Sequence, residues 1–311
     1  MRWATYRHDT DGPDRVGLVI DGRIGGLPPD ASLLGLLRDG PEALAEAGHR
    51  AGQDPAEELA VADVQLRAPI PDPPSVRDFS AFEAHVRTAR RARGVEMDPD
   101  WYRRPAFYFS NPHAIVDPGA DVAIPPGSHA LDFELEVAAI VGLAGRDLDP
   151  ETAAHHIAGF TVMNDWSARD LQRSDTRSQL GPAKSKDFAT TLGPFLVTPD
   201  ELEPHAVGRG YALTMTASVN GREYTRTSCA DLYWSFGELV AFASRGAWIR
   251  PGDVIGSGTA PGGCILELAL VHGAETYPWL QPGDEVTLTV DELGAISNRV
   301  IEGPPSTPLR R

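Results

Sequence analysis

The chain has 311 residues, 41% of them hydrophobic and 23% charged, an ordinary composition for a folded protein that excludes long disordered stretches. Its 28 Lys and Arg against 44 Asp and Glu give a net charge of −16, which would repel a phosphate backbone and argues against a nucleic-acid partner. An acidic substrate would be repelled as well, so a site for one would need a local cation or metal.

The cysteine content and the distribution of apolar residues indicate the cellular compartment to expect. Only Cys229 and Cys264 are present, too few and too far apart in sequence for a disulfide framework or a cysteine zinc site. The first residues show no apolar leader pattern, and no run of about 18 apolar residues occurs. We therefore expect a cytoplasmic protein with reduced thiols and no membrane partner.

The first part of the chain predicts a small β-rich domain. Residues 3–6, 15–20 and 23–27 have the pattern of short strands, and residues 31–51 form an amphipathic segment. The proline-rich stretch 67–79 cannot continue a helix or a central strand, so it marks a boundary near Leu66. The sequence thus predicts a small domain of residues 1–66 and a larger one of residues 67–311.

The larger part predicts a mainly β, α+β domain covered by a few helices. The predicted strands are residues 134–142, 159–165, 194–198, 211–221, 253–258, 264–270 and 284–290. Asn220-Gly221 predicts a tight hairpin turn. The helical candidates are residues 80–94, 150–158 and 231–246.

Three acids in these strands are candidate metal ligands. Glu134 and Glu136 are two residues apart in a predicted strand and should share one face. Asp165 ends the next apolar strand, and carboxylates from two neighbouring strands can converge on one hard cation. The alternatives are a solvated edge strand for the two glutamates and a cap for Asp165. Oxygen ligands favour magnesium, with manganese and calcium as further possibilities.

Four segments together resemble a known enzyme family. They are LDFELEVA (131–138), GFTVMNDWSARDLQ (159–172), GPAKSKDFATTLGPFLVT (181–198) and GSGTAPGGCILEL (256–268). In this order and at these separations they resemble the catalytic domain of the fumarylacetoacetate hydrolase family, over about residues 70 to 300. The resemblance implies that family's mixed β-sandwich or roll, with a small N-terminal β-rich domain before it.

The resemblance implies a metal centre with up to four ligands. It assigns Glu134, Glu136 and Asp165 as ligands of a divalent cation. Asp78 is the candidate fourth ligand, because RDFSAFEAH places it seven residues before a histidine, as in the true fumarylacetoacetases. The alternative for Asp78 is an N-cap of the helix that follows.

The same resemblance implies a catalytic dyad and a lysine. His85, oriented by Glu267, would deprotonate the water that attacks a metal-polarised carbonyl. Lys186 would stabilise the developing oxyanion, with Lys184 as the competing assignment because this loop has one extra residue. Candidate substrate contacts are Tyr108, Gln172 and Thr259. Their alternatives are a core tyrosine, a solvated helix residue and a turn residue.

The implied function is hydrolysis of a carbon-carbon bond in a β-diketo acid of the fumarylacetoacetate or acylpyruvate type. The alternatives are a decarboxylase or an isomerase or hydratase of a dicarboxylic 2-keto acid in aromatic catabolism, and a non-catalytic keto-acid-binding protein. Ser80 stands where the true fumarylacetoacetases have a tyrosine, so the substrate can differ from fumarylacetoacetate. The resemblance also implies a homodimer, and residues 80–109 are a candidate lid.

Overall fold

The N-terminal part combines antiparallel strands with two helices. The computed structural model describes residues 1–92, 94–179 and 181–308. The elements of the N-terminal part are β1 (Arg2–Arg7), β2 (Arg15–Ile20), β3 (Arg23–Gly26), α1 (Leu33–Asp39), α2 (Pro41–Gln53), β4 (Glu57–Ala60) and β5 (Gln65–Leu66). The three strands predicted here are confirmed. The amphipathic segment forms two helices because Gly40, with φ of 102°, ends α1 and Pro41 begins α2.

The larger part consists mostly of strands. The strands are β6 (Val76–Phe79), β7 (Phe107–Ser110), β8 (Ile115–Val116), β9 (Val122–Ala123), β10 (Leu131–Asp132), β11 (Leu135–Val141), β12 (Gly145–Arg146), β13 (Ile157–Asp165), β14 (Ser167–Ala168), β15 (Thr190–Val197), β16 (Ala206–Val207), β17 (Gly210–Tyr211), β18 (Thr214–Val219), β19 (Arg222–Ser228), β20 (Trp248–Ile249), β21 (Val254–Gly256), β22 (Glu285–Val290) and β23 (Gly294–Ile301). The helices are α3 (Glu83–Ala92), α4 (Pro150–Ala153), α5 (Arg169–Ser178), α6 (Pro199–Leu202), α7 (Phe236–Ala243) and α8 (Ile265–His272). The mainly β, α+β class is confirmed.

A 12-stranded mixed sheet runs through both parts of the chain. Its main order is β4-β3-β2-β1-β15-β13-β11-β21-β6-β7. Strand β1 pairs with β15, where Trp3 lies opposite Leu196. One continuous sheet therefore crosses the predicted boundary near Leu66, and the division into two domains stays a prediction. Strands β11 and β13 are buried along nearly their whole length, which explains their continuous apolar sequences.

A second sheet packs against the first. It has five strands in the order β19-β18-β22-β23-β9. One hydrophobic core contains Val137 and Val162 from the large sheet and Met215 and Leu288 from the second. The hairpin predicted at Asn220-Gly221 is confirmed, because it joins β18 to β19 with positive φ at both turn residues.

The helix predictions had mixed success. The candidate at 80–94 is α3, with position 93 outside the described residues, and the candidate at 231–246 is α7. The candidate at 150–158 is α-helical only over α4, and Ile157 already begins β13. Among the described residues, no helix has the length and apolar character that a membrane crossing requires.

The predicted strand 264–270 was wrong, because this segment is helix α8. Leu, Ala and Glu favour helix, and the start of α8 is capped from outside the segment. The carboxylate of Asp132 accepts the N–H groups of Ile265 at 2.7 Å and Leu266 at 3.0 Å. Cys264 is the N-cap, and its Sγ accepts the N–H of Glu267 at 3.4 Å. A local N-cap and a contact from a distant residue thus both stabilise the start of this helix.

Candidate metal and catalytic site

Four buried acids from neighbouring strands converge at one end of the large sheet. They form the carboxylate cluster: Asp78 on β6, Glu134 just before β11, Glu136 on β11 and Asp165 at the end of β13. One oxygen from each lies within 4.8 Å of the others. The sheet order β13-β11-β21-β6 makes these strands neighbours. The structure therefore brings together all four predicted metal ligands, whose ligand role stays a prediction.

Strand β21 crosses between two of these acids and needs a glycine there. A Cβ added at Gly256 would lie 2.5 Å from Oδ1 of Asp78 and 3.1 Å from Oε2 of Glu136. The next glycine, Gly258, donates its N–H to these same two oxygens at 3.2 and 3.0 Å. The GSG sequence therefore lets the two carboxylates approach each other over the backbone.

The alternatives considered for these acids are wrong. Asp78 lies within β6, whereas α3 begins only at Glu83, so Asp78 is not the cap of that helix. Glu136 lies on a central strand and is fully buried, so it is not on a solvated edge. Asp165 does not cap α5, which has no side-chain cap, because its Oδ2 accepts from Tyr108 and Lys186 instead.

The cluster fits a hard divalent cation. Among the described residues, Oε1 of Glu136 and Oδ1 of Asp165 are buried without a hydrogen-bond partner. Burial and then the neighbouring carboxylates raise the pKa of Glu136 well above its usual range, and burial raises the pKa of Asp165 in the same direction. Oxygen donors that repel one another and lack partners are what magnesium, manganese or calcium would satisfy.

Lys186 supplies positive charge inside the cluster. It is 3% exposed, and its Nζ donates to Glu134 and Asp165. Burial would lower the pKa of Lys186, but the charges of Asp165 and Glu134 outweigh it and raise this pKa. Lys184, the competing assignment, has a side chain that is 77% exposed and pairs with Asp187 at 2.9 Å. Of the two lysines, the structure brings only Lys186 to the cluster.

A buried arginine and its partner were not predicted from the sequence. Arg169 on α5 donates to Oε1 of Glu134 at 2.7 Å and to Oδ2 of Asp132 at 2.7 Å. Burial would raise the pKa of Glu134, but Lys186 and Arg169 outweigh it and lower this pKa. The available signals were an arginine inside MNDWSARDLQ and a third alternating acid, Asp132, in LDFELEVA.

The two residues of the predicted dyad come from two helices and contact each other, and their catalytic role stays a prediction. Nδ1 of His85 on α3 lies 2.6 Å from Oε2 of Glu267 on α8. The same oxygen accepts the N–H of Gly262 at 2.9 Å, which holds the carboxylate in place. Because Nδ1 faces Glu267, Nε2 is the nitrogen of His85 that would exchange protons with water or substrate.

The three predicted substrate contacts lie around the carboxylate cluster. Tyr108 is on β7, and its hydroxyl donates to Asp165. Gln172 is on α5, where its Oε1 accepts from Arg169 at 3.1 Å. Thr259 is 5% exposed and directly follows Gly258. All three therefore lie near the carboxylate cluster, and their contact with a substrate stays a prediction.

Comparison with known proteins identifies related enzymes. A family model described as "Fumarylacetoacetate (FAA) hydrolase C-terminal" matches residues 75–301. A fumarylacetoacetase of Arabidopsis thaliana is 33% identical over 276 residues, covering 70% of this chain and 65% of that protein. A mitochondrial oxaloacetate tautomerase of Xenopus laevis is 34% identical over 245 residues, covering 78% of this chain and 70% of that protein.

A solved structure agrees over nearly the whole chain. The fumarylacetoacetate hydrolase of the psychrophile Exiguobacterium antarcticum superimposes with a TM-score of 0.73 and 28% sequence identity, covering 97% of this chain and 99% of that one. The chain matches less than two thirds of the length of the Arabidopsis relative, at 65%. Because the family model spans most of the sequence, this chain belongs to the fumarylacetoacetate hydrolase family.

Proposed function

We propose that this protein is a metal-dependent hydrolase that cleaves a carbon-carbon bond in a β-diketo acid of the fumarylacetoacetate or acylpyruvate type. The observation that carries the proposal is the 2.6 Å contact of His85 with Glu267, in a chain that also forms the carboxylate cluster. Asp132 connects the two, since it caps the helix that carries Glu267 and also bonds Arg169, which reaches Glu134. A base aimed at water is what hydrolysis needs.

The carboxylate cluster would hold a magnesium or manganese ion, which when bound supplies charge for a substrate carboxylate and polarises a carbonyl oxygen. Lys186 and Arg169 neutralise part of the negative charge of the carboxylates around this ion. Together with the ion they would weaken the repulsion that the protein's overall charge of −16 exerts on an acidic substrate.

His85 and Glu267 carry the proton transfers in this proposal. Nε2 of His85 takes a proton from water, whose oxygen bonds to the carbonyl carbon, and Glu267 stabilises the imidazolium that forms. The bond from that carbon to its neighbour then breaks, and its electron pair stays with the departing enolate. His85 returns the proton to the enolate carbon. The products are a carboxylic acid and a keto acid.

A second candidate is isomerisation or tautomerisation of a dicarboxylic 2-keto acid, favoured by the 34% identity with the Xenopus oxaloacetate tautomerase. In this case His85 would move a proton between carbon and oxygen of one substrate without activating water. Both reactions would use the same metal ligands and the same base. Hydrolysis gives two products from each substrate, whereas isomerisation gives one product with the mass of the substrate.

We also propose a cytoplasmic homodimer. Support for an interface comes from β7, which ends the order of the large sheet and carries Phe109 with 63% of its surface exposed. Light scattering on the purified chain tests the oligomeric state, and a monomer at all concentrations would contradict it.

The test of the proposed function uses metal-stripped protein with added magnesium or manganese. Loss of enol absorbance is followed for acylpyruvates and fumarylacetoacetate, and products are identified by mass. We expect metal-dependent cleavage that disappears in Glu136→Ala and His85→Ala and persists in His156→Ala, which alters a histidine bonded to Leu143. An isomer, carbon dioxide, or full activity in His85→Ala would refute the hydrolase.

A further inference from the structure

A second group of metal-binding side chains lies at the dyad itself. His85, Cys264 and Glu267 each offer one donor atom, and these atoms lie within 4.8 Å of one another. Cys264 is fully buried and Glu267 is 7% exposed. One thiol, one imidazole and one carboxylate form a donor set suited to zinc, whereas the carboxylate cluster offers only oxygen. We name these three residues the mixed-donor cluster.

The three donors are held by two elements that already touch. Cys264 is the N-cap of α8 and Glu267 lies in its first turn, three positions later, where its N–H donates to Sγ of Cys264. His85 reaches them from α3, with Nδ1 2.6 Å from Oε2 of Glu267. Ordered donors lose little conformational entropy when they bind an ion, so this arrangement favours binding.

We propose that the mixed-donor cluster is a zinc site, with three protein ligands and a fourth position open to water or substrate, and that zinc bound there inhibits the enzyme. The site is separate from the carboxylate cluster. The inhibition rests on the proposed function, whereas the binding does not. Tetrahedral zinc with Zn–S of about 2.3 Å and Zn–N of about 2.0 Å separates its donors by less than about 4 Å. Small side-chain adjustments would bring the three donors to such spacing.

The chemistry of binding explains the inhibition. The thiol of Cys264 releases its proton to solvent and bonds as thiolate, while the imidazole of His85 gives a nitrogen lone pair to the ion. Glu267 turns from a partner of His85 into a ligand. His85 can then neither accept a proton from water nor be oriented by Glu267, so the base is lost.

Ion preference separates the two clusters. Magnesium is a hard ion that takes oxygen ligands, so magnesium in excess should fill the carboxylate cluster and leave the thiol unbound. Zinc or cobalt added to magnesium-saturated protein would then report on the mixed-donor cluster. Cobalt is the better probe because a thiolate ligand gives it a charge-transfer absorption that oxygen ligands do not.

The experiment titrates the full chain, saturated with magnesium, with cobalt and then with zinc. We expect one cobalt per chain with a thiolate charge-transfer band, which zinc abolishes. Cys264→Ser should lose the band and bind zinc at least about tenfold more weakly. Cys229→Ser is the matched control, because Cys229 is equally buried but belongs to neither cluster formed by the described residues, and it should keep the band.

Other outcomes would overturn the site. No band in the unaltered protein, an unchanged band in Cys264→Ser, or a band lost equally in Cys229→Ser would each refute it. Serine is a good N-cap, so Cys264→Ser should fold, and His85→Gln removes a second ligand without altering the α8 cap. Zinc inhibition of turnover should weaken about tenfold or more in Cys264→Ser. If the protein lacked hydrolase activity, the cobalt band would still be present.

Discussion

The carboxylate cluster and the buried pair of Arg77 and Asp253 both include a residue of strand β6, yet the hydrogen-bond partners of their acids differ. Asp253 is 3% exposed, and both its oxygens are occupied: Oδ1 accepts from Ser75 at 2.8 Å, and Oδ2 accepts from the N–H of Arg250 at 2.9 Å and from Arg77 at 3.3 Å. In the cluster, one oxygen each of Glu136 and Asp165 has no partner among the described residues.

Strand β6 supplies one member to each region. Arg77 and Asp78 are consecutive, so their side chains point to opposite faces of the sheet. On one face, Arg77 pairs with Asp253 and neutralises its charge. On the other, four carboxylates share two nearby cations, Lys186 and Arg169. Because unpaired buried charge reduces the free energy of unfolding, four converging carboxylates with unpartnered oxygens support our proposal that this cluster holds a cation.

The largest effect is expected when each region loses one charge. With metal, Glu136→Gln should reduce turnover by at least about a thousandfold, because one ligand is lost. In chelator, the same change should raise the melting temperature, because it removes repulsion among the acids. Asp253→Asn should keep the turnover and lose about 3 kcal/mol of unfolding free energy, because it breaks a buried pair. Kinetics with metal measures the turnover of both variants. Thermal and chemical denaturation in chelator measure the melting temperature and the unfolding free energy. Equal destabilisation by the two variants would contradict the comparison.

Metal addition should produce the next largest effect. At about 100 times its dissociation constant, magnesium should stabilise the protein by about 2.7 kcal/mol, because it binds only the folded cluster. Thermal melts of stripped protein with rising magnesium measure this shift. Asp253→Asn should show the same increment from a lower starting point, and Glu136→Gln should show little. An equal increment in Glu136→Gln would mean that the ion binds elsewhere.

A smaller effect is expected at Asp132, which shares features with both regions. Its oxygens are all satisfied, as in Asp253, but its partners are the start of α8 and Arg169. Asp132→Asn should lower kcat about 10- to 100-fold by displacing Glu267, with little change in KM. It should also alter the pH profile of kcat, which Asp253→Asn should not. A loss of stability alone would make Asp132 a purely structural cap.

The sequence predicted what depends on local patterns. The buried strands β11 and β13 read as long apolar runs, and Glu134 and Glu136 stood out because acids rarely interrupt such a run. The hairpin at Asn220-Gly221 followed from residues that tolerate positive φ. The family resemblance, rather than the pattern, suggested that Asp78 and His85 join them.

The features that were not predicted depend on contacts between residues that are distant in sequence. Helix α8 was mistaken for a strand because Asp132, whose carboxylate accepts the first N–H groups of the helix, lies more than 100 positions earlier. Arg169 was overlooked because an arginine is usually exposed, and its burial depends on acids from other strands. The convergence of four carboxylates required the order β13-β11-β21-β6, which local patterns do not specify.

The smallest effect is expected at Asp170, an acid that is only partly buried. Asp170 accepts from the hydroxyl of Ser128 and the N–H of His129, each at 2.7 Å. Burial would raise the pKa of Asp170, but these hydrogen bonds outweigh it and lower this pKa. The folded state therefore prefers the charged form. Its stabilising contribution is full above the unfolded pKa of about 3.9 and is lost as pH falls through the folded value.

Asp170→Asn should accordingly lower the unfolding free energy at neutral pH by less than about 1 kcal/mol, and the difference from the unaltered protein should shrink toward about pH 3. Urea unfolding at both pH values measures it, with Asp11→Asn at an exposed position as the control. A difference that stayed constant with pH would show that Asp170 acts through neutral hydrogen bonding. Its behaviour would then differ from that of the carboxylate cluster, where charge is expected to determine the effect of each substitution.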